Sequence, residues 1–311
     1  MSRIHEALKR AEQDRAAAQN VHVVSGQTAE ASAVSPGSSV SSEPPALSTV
    51  PALSNQFSYE TLISRCIPGN WSPEMKTMLF YNSEQGPGTE EFRTLRSRLY
   101  QMREKQPLKK VLVTSSLPKE GKSFVAANLA QAMVRQHGRR VLLIDADLRA
   151  ARLHLALGTT LTPGLSEYLL GEQDEFGIMQ RGAMENLFFI PAGRSTSNPA
   201  ELVANGRLQV LLSRVESLFD WIVIDSPPAV PVSDAGVMAN HCDGVLMVVR
   251  FSATPSDMAR KARAEFDDKL LLGVVLNGIK RGSSEYSQYY GVYAGADEKQ
   301  RLRGSERDPA V

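Results

Sequence analysis

Beginning at Lys110, short apolar runs alternate with segments whose apolar residues recur every three or four positions. They read KVLVTSS, SFVAANLAQAMVRQ, RVLLIDAD, a helical stretch near GLSEYLLG, NLFFIPA, PAELVANGRLQVLLSRVESLF, DWIVIDSPP, DGVLMVVR, SDMARKARAEF and LLLGVVLN. No other feature limits the fold so tightly. A strand that is apolar throughout has no polar face to offer water, so it belongs inside a sheet covered on both sides. Helices between the strands supply that cover and return the chain for the next parallel strand. The pattern predicts an α/β fold, a mostly parallel twisted sheet flanked by helices on both faces, with PAELVANGRLQVLLSRVESLF as a single helix. Ahead of it, TEEFRTLRSRLYQMREK sets Phe92, Leu95, Leu99 and Met102 at helical spacing. Glu90 and Glu91 fall in its first turn, where the helix dipole favours carboxylates.

The flanks read differently. Residues 1–20 form an amphipathic pattern with Ile4, Ala7, Leu8 and Ala11 on one stripe. Residues 21–75 are assigned to a linker, clearest from Val21 to Asn55, where Ser, Ala, Pro, Val and Thr dominate and cannot repay the entropy of ordering. The folded domain is placed at 76–281 and a flexible tail at 282–311. That tail contains YSQYYGVY, so Tyr286, Tyr289, Tyr290 and Tyr293 are half of the eight tyrosines in 311 residues. They are interleaved with polar residues and have no core to enter, which leaves three readings: incidental, sticky for a partner, or substrates for modification.

Composition narrows the function classes. A formal net charge of +1 gives no global case for nucleic-acid binding. Cys66 and Cys242 lack metal-ligand spacing, and no signal-peptide pattern precedes them, so both are expected as reduced structural thiols in a cytoplasm. No apolar run approaches the roughly 18 residues of a membrane span, so a membrane role would come through a partner.

The strand VLVTSS runs through SLPKEGKS into a helix, the context a phosphate-binding P-loop requires. Backbone N–H groups of Ser116, Lys119, Glu120 and Gly121, with those of Lys122, Ser123 and Phe124 at the helix start, would cradle phosphates. Lys122 would reach the β and γ phosphates and Ser123 would ligate Mg²⁺. Ser116 departs from the usual pattern by standing at its first glycine. Two later strand ends add acids. In VLLIDADLR, Asp145 and Asp147 are two apart, so in extended chain their carboxylates would share one side and converge on one metal or proton. In WIVIDSPP, Asp225 ends a buried strand where the water shell of Mg²⁺ is held. The plainer role for such acids is to cap helices.

These segments, with EEFRTLR, NPAEL, GVVLN and the terminal tyrosines, resemble in content and order the bacterial tyrosine kinases, P-loop autokinases tied to capsule and exopolysaccharide synthesis. The resemblance spans about Glu90 to Tyr293. It implies ATP and Mg²⁺ as ligands of Lys122 and Ser123, with Asp145 and Asp147 serving the metal and the tyrosine hydroxyl, and Asp225 completing the metal site. It also implies Asn277 against the adenine, Glu90, Arg93 and Arg96 in a homo-oligomer, and the tail tyrosines as autophosphorylation sites. Implied partners are a separate transmembrane polysaccharide chain-length regulator, which would recruit the kinase to the inner membrane face, and a protein-tyrosine phosphatase. After DADLR the family's basic, proline-containing run is AARLH here, so Arg152 and His154 receive no contact.

A tyrosine hydroxyl has a pKa near 10, so transfer at neutral pH needs a carboxylate to take its proton, with Asp145 or Asp147 the candidate. From Asn277 to Tyr286 an extended chain reaches at most roughly 30 Å, enough to visit a neighbouring subunit. The alternative is a Min/Par-type positioning ATPase. Its loop carries an extra lysine five residues before the P-loop lysine, where this chain has Leu117.

Overall fold

The computed structural model describes residues 58–81, 88–182, 184–267 and 270–279. The expected N-terminal helix with Ile4, Leu8 and Ala11, the low-complexity stretch 21–55, and the tail with Tyr286, Tyr289, Tyr290 and Tyr293 lie outside the described residues. The chain begins with α1 (Tyr59–Arg65), β1 (Ile67–Pro68), α2 (Thr89–Arg103), β2 (Lys110–Ser115), α3 (Lys122–Val134) and β3 (Val141–Asp145). It continues through α4 (Leu153–Leu157), α5 (Leu165–Leu170), β4 (Gln180–Arg181), β5 (Leu187–Ile190), α6 (Pro199–Ala204) and α7 (Arg207–Val215). β6 (Trp221–Asp225), α8 (Asp234–Ala239), β7 (Gly244–Arg250), α9 (Ser256–Ala264) and β8 (Leu271–Asn277) follow.

The strands make one sheet in the order β1-β4-β5-β3-β6-β2-β7-β8. Every neighbouring pair is parallel except β4 with β5. Because strand side chains alternate, the sheet divides its apolar residues between two layers. Leu112, Leu142, Ile144, Ile222 and Ile224 pack with α5, α7 and α8 on one face. Val111, Val113, Leu143, Trp221 and Val223 pack with α2 and α3 on the other. α3 lies between the sheet and α2 and buries every residue from Val125 to Met133. This explains why SFVAANLAQAMV is apolar nearly all round.

Two expectations are corrected. Residues 58–75 were assigned to the linker, yet Ser58 caps α1 by accepting from the Thr61 N–H at 3.2 Å. Leu62 is fully buried, the Tyr59 hydroxyl donates to Asn186 at 2.7 Å, and Trp71 enters the core. The segment is ordered by contacts with residues more than a hundred positions away, which local composition does not carry. The single helix expected from 199 onward is two: the chain breaks at Asn205–Gly206, where Gly206 has φ +81° and the Asn205 side chain donates to the Leu169 carbonyl at 3.1 Å. α4, α8 and the short strands β1 and β4 were not anticipated.

Cys66 and Cys242 are free and buried, and burial pushes the Cys242 thiol up to about 12. Among the described residues no helix is long and apolar enough to cross a membrane.

Candidate active site

β2, β3 and β6 lie side by side and end at the same edge, with Asp145 directly opposite Asp225 in the strand register. That edge is where an open α/β sheet binds its ligand. β2 feeds the loop 116–121, and α3 starts at Lys122 after Gly121. Gly121 has φ +98°, and a Cβ there would lie 2.0 Å from Asn277 Nδ2, so both backbone conformation and space require glycine. The first intrahelical bond runs from Val125 N–H to the Gly121 carbonyl, and no side chain caps the helix. The N–H groups of Lys122, Ser123 and Phe124 therefore remain at an open, electropositive helix end. The Phe124 ring packs edge-on against Phe92 at 5.8 Å, and the Glu120 carboxylate is buried within the protein. Both residues can thus offer a ligand only their backbone N–H. Among the described residues the buried Ser116 hydroxyl has no hydrogen-bond partner.

Three carboxylates surround Lys122. Its Nζ lies 2.7 Å from Asp147 Oδ2, 3.9 Å from Asp225 Oδ1 and 3.4 Å from Ser123 Oγ. Burial works against the ammonium, but Asp225, Asp147 and Asp145 outweigh it and hold its pKa above the usual lysine value. Burial, then Asp225, pushes the Asp145 carboxyl up to about 7. Burial pushes Asp225 up to about 6 against the opposing pull of Lys122 and Ser123. Fully ionised, the cluster would hold three negative charges against one positive, an arrangement that calls for more cation.

Asp145 and Asp147 do not share a side by strand alternation. The strand ends at Asp145 and the chain turns, with Asp147 N–H donating back to Asp145 Oδ1 at 3.3 Å. Asp145 Oδ2 accepts from Arg152 N–H at 3.2 Å and Leu153 N–H at 3.1 Å, so this carboxylate organises the loop and caps α4. Asp147 accepts from Ala150 N–H at 3.0 Å and pairs with Lys122.

Among the described residues no group makes a well-formed hydrogen bond to either oxygen of buried Asp225. A buried carboxylate left so is costly unless a cation or its water completes it. Ser123 at the helix start and Asp225 fit a hydrated Mg²⁺, which keeps several waters and takes few protein ligands. Among the described residues no group of three His, Cys, Asp or Glu could hold a metal directly. The acids would therefore act on Mg²⁺ chiefly through its waters.

Asn277, at the end of β8, donates from Nδ2 to the Glu120 carbonyl at 2.9 Å, which places it against the loop. Glu90 and Arg93 form an ion pair on α2, whereas Arg96 donates to the Ala132 carbonyl at 2.7 Å and ties α2 to α3. The sequence reading missed Arg149, which follows Asp147 by two residues and grips the buried Asp234 with two bonds of 2.8 and 3.1 Å. It also missed Arg250 and Thr254 beside the loop. The arginine in DADLR was visible; its partner 85 residues away was not. A cleft lined by Lys110, Gln209, His241 and Asp243 opens at the opposite edge, where β2 and β7 begin, and takes no part in this site.

Fold and loop together define a P-loop nucleotide-binding protein, and a family model for the AAA domain matches residues 119–255. The tyrosine-protein kinase YwqD of Bacillus subtilis is 34% identical over 205 residues, covering 65% of this chain and 86% of that protein. The tyrosine-protein kinase wzc of Salmonella typhimurium is 35% identical over 206 residues, covering 66% of this chain and 28% of that longer protein. The structure of the kinase domain of Escherichia coli tyrosine kinase ETK has a TM-score of 0.58 and 30% identity, covering 63% of this chain and 77% of that one. The chain belongs to the bacterial tyrosine-protein kinase family and is an enzyme of that class.

Proposed function

We propose that the chain is an ATP-dependent tyrosine autokinase whose substrates are Tyr286, Tyr289, Tyr290 and Tyr293 of a neighbouring copy. The observation that carries this is Lys122 at the open end of α3, held between Asp147 and Asp225. Loop and helix N–H groups bind the phosphates, and Lys122 turns from Asp147 to the β and γ phosphates. Magnesium, when bound, would be held by Ser123 and, through its waters, Asp225, and would supply neutralising charge. The tyrosine oxygen then bonds to the γ phosphorus as the bond from that phosphorus to the β,γ-bridging oxygen breaks and ADP leaves. Asp147, released by Lys122, takes the phenolic proton. Asp145, engaged by three backbone N–H groups, keeps the Asp147 loop in place.

Each phosphotyrosine adds about 1.5 to 2 negative charges, so four add roughly 6 to 8 to a chain near neutrality. Unmodified tails dock in adjacent sites and hold a ring, with contacts from Glu90, Arg93 and Arg96; modified tails repel and release it. The stripe of Ile4, Leu8 and Ala11 docks the kinase on a separate transmembrane chain-length regulator, at the cytoplasmic membrane face, so that the cycle controls exopolysaccharide or capsule assembly. A protein-tyrosine phosphatase resets it.

The test mixes two variants with γ-labelled ATP and Mg²⁺: Lys122→Met with an intact tail, and an active chain with the four tail tyrosines changed to Phe. Label on the Lys122→Met tail supports transfer between copies; none in the mixture, with wild type labelled, rejects it. Light scattering before and after ATP reads the ring, and an unchanged assembly state counts against release. Deleting residues 1–20 should leave labelling intact and abolish co-purification with the regulator.

A further inference from the structure

The ends of β7 and β8 hold the P-loop from outside. The Lys119 carbonyl accepts from Arg250 Nη1 at 3.1 Å and the Glu120 carbonyl from Asn277 Nδ2 at 2.9 Å. In a planar trans peptide the C=O and N–H point in opposite directions. Pinning these two carbonyls toward β7 and β8 therefore turns the N–H groups of Glu120 and Gly121 away from those strands, into the loop. Among the described residues nothing accepts from either N–H. Lys119 meanwhile sits at φ +67°, where a non-glycine residue needs outside support.

A third tie fixes the same segment. The Glu120 carboxylate, only 3% exposed, accepts from Leu117 N–H at 2.9 Å and from the Thr254 hydroxyl. Thr254 Oγ1 in turn accepts from Arg250 N–H at 3.0 Å. That bond directs the hydroxyl proton toward Glu120, making a relay from Arg250 through Thr254 and Glu120 to Leu117. All of these groups come from the end of β7, the segment that follows it, or the loop itself.

We propose that Thr254 and Arg250 are positioning residues for phosphate binding: the relay and the Arg250–Lys119 bond set the loop's peptides toward the phosphates before nucleotide arrives. The identity of that ligand as ATP rests on the kinase reading above. Neither residue need touch nucleotide. Glu120 acts through its side chain as the anchor of the relay and through its backbone N–H as a hydrogen-bond donor to phosphate.

The test uses the full chain as wild type, Thr254→Val, Thr254→Ser and Arg250→Ala. ATP, ADP and adenosine are each competed against a fluorescent ATP analogue, and thermal unfolding is recorded for every variant. Loss of a hydrogen bond to the buried carboxylate should weaken ATP and ADP by about tenfold in Thr254→Val. Adenosine should be unaffected, and Thr254→Ser should restore wild-type affinity. Arg250→Ala, at an exposed position, should repeat the phosphate-selective loss, and it decides the matter if Thr254→Val does not fold. Unchanged ATP affinity in both variants, an equal loss for adenosine, or no rescue by serine overturns the clamp alone. A wild-type chain that binds no ATP overturns the kinase reading and the clamp with it.

Discussion

Asp225 should cost the unliganded fold stability that the enzyme recovers only with its ligands. The carboxyl is fully buried, and its pKa rises from 3.8 to about 6. A raised carboxyl pKa means that the folded state resists ionisation more than the unfolded chain does. The penalty is absent below pH 3.8, grows between there and about 6, and is complete above. A shift of that size corresponds to ~3 kcal/mol at pH 8. Asp225→Asn keeps the shape and cannot ionise; it also relieves Asp145, for which Asp225 is the main charge raising the pKa. That penalty is already net of the attraction of Lys122; the amide that replaces the carboxyl is itself buried with unmet hydrogen bonds, so the expected net gain is ~2 kcal/mol at pH 8. For a domain of this size that raises the melting temperature by about 4 to 8 °C. Thermal unfolding without nucleotide or divalent metal, at pH 8 and at pH 4, reads it directly. The variant should be more stable at pH 8 and nearly equal to wild type at pH 4, while losing ATP-dependent labelling. Equal or lower stability at pH 8, or a gain that does not change with pH, would refute the reasoning.

Three further outcomes follow from the same geometry. Lys122→Met leaves Asp147 and Asp225 buried without their cation and should lose about 3 kcal/mol at pH 8, less at pH 5, where Asp225 is protonated, measured by urea unfolding at both pH values. Gly121→Ala places a Cβ on Asn277 at φ +98° and should destabilise by more than ~1 kcal/mol and abolish nucleotide binding. Adding Asn277→Ala removes the clash but not the backbone strain, so chemical denaturation should show partial recovery. Arg149→Ala strands Asp234, whose side chain is 1% exposed, and should cost about 2 to 4 kcal/mol in the same assay, with Arg149→Lys recovering only part because it lacks the two-pronged contact.

The parts of this fold that sequence exposes are those whose physics is local. β2, β3, β6 and β7 are unbroken apolar runs because helices cover both their faces, and the loop before α3 carries its own glycine, lysine and serine. β1 and β4, two residues each, have no periodicity to read. The break between α6 and α7 rests on one Asn-Gly pair inside an otherwise continuous helical pattern. In the site, Asp225 was legible because a carboxylate ending an apolar strand is conspicuous. Asp145 was legible as an acid but not as the anchor of a loop, since its partners depend on a turn that alternation does not predict. Thr254 meets Glu120 across 134 positions, and only the order of strands in the sheet makes them neighbours.

The central claim is that this site transfers the γ phosphoryl group of ATP to tyrosine. Incubating the purified full chain with γ-labelled ATP and Mg²⁺, followed by phosphopeptide mapping, tests it most directly. The account predicts label on tyrosine within residues 286–293 of wild type and none in Lys122→Met. ATP consumed with all label released as inorganic phosphate would contradict it.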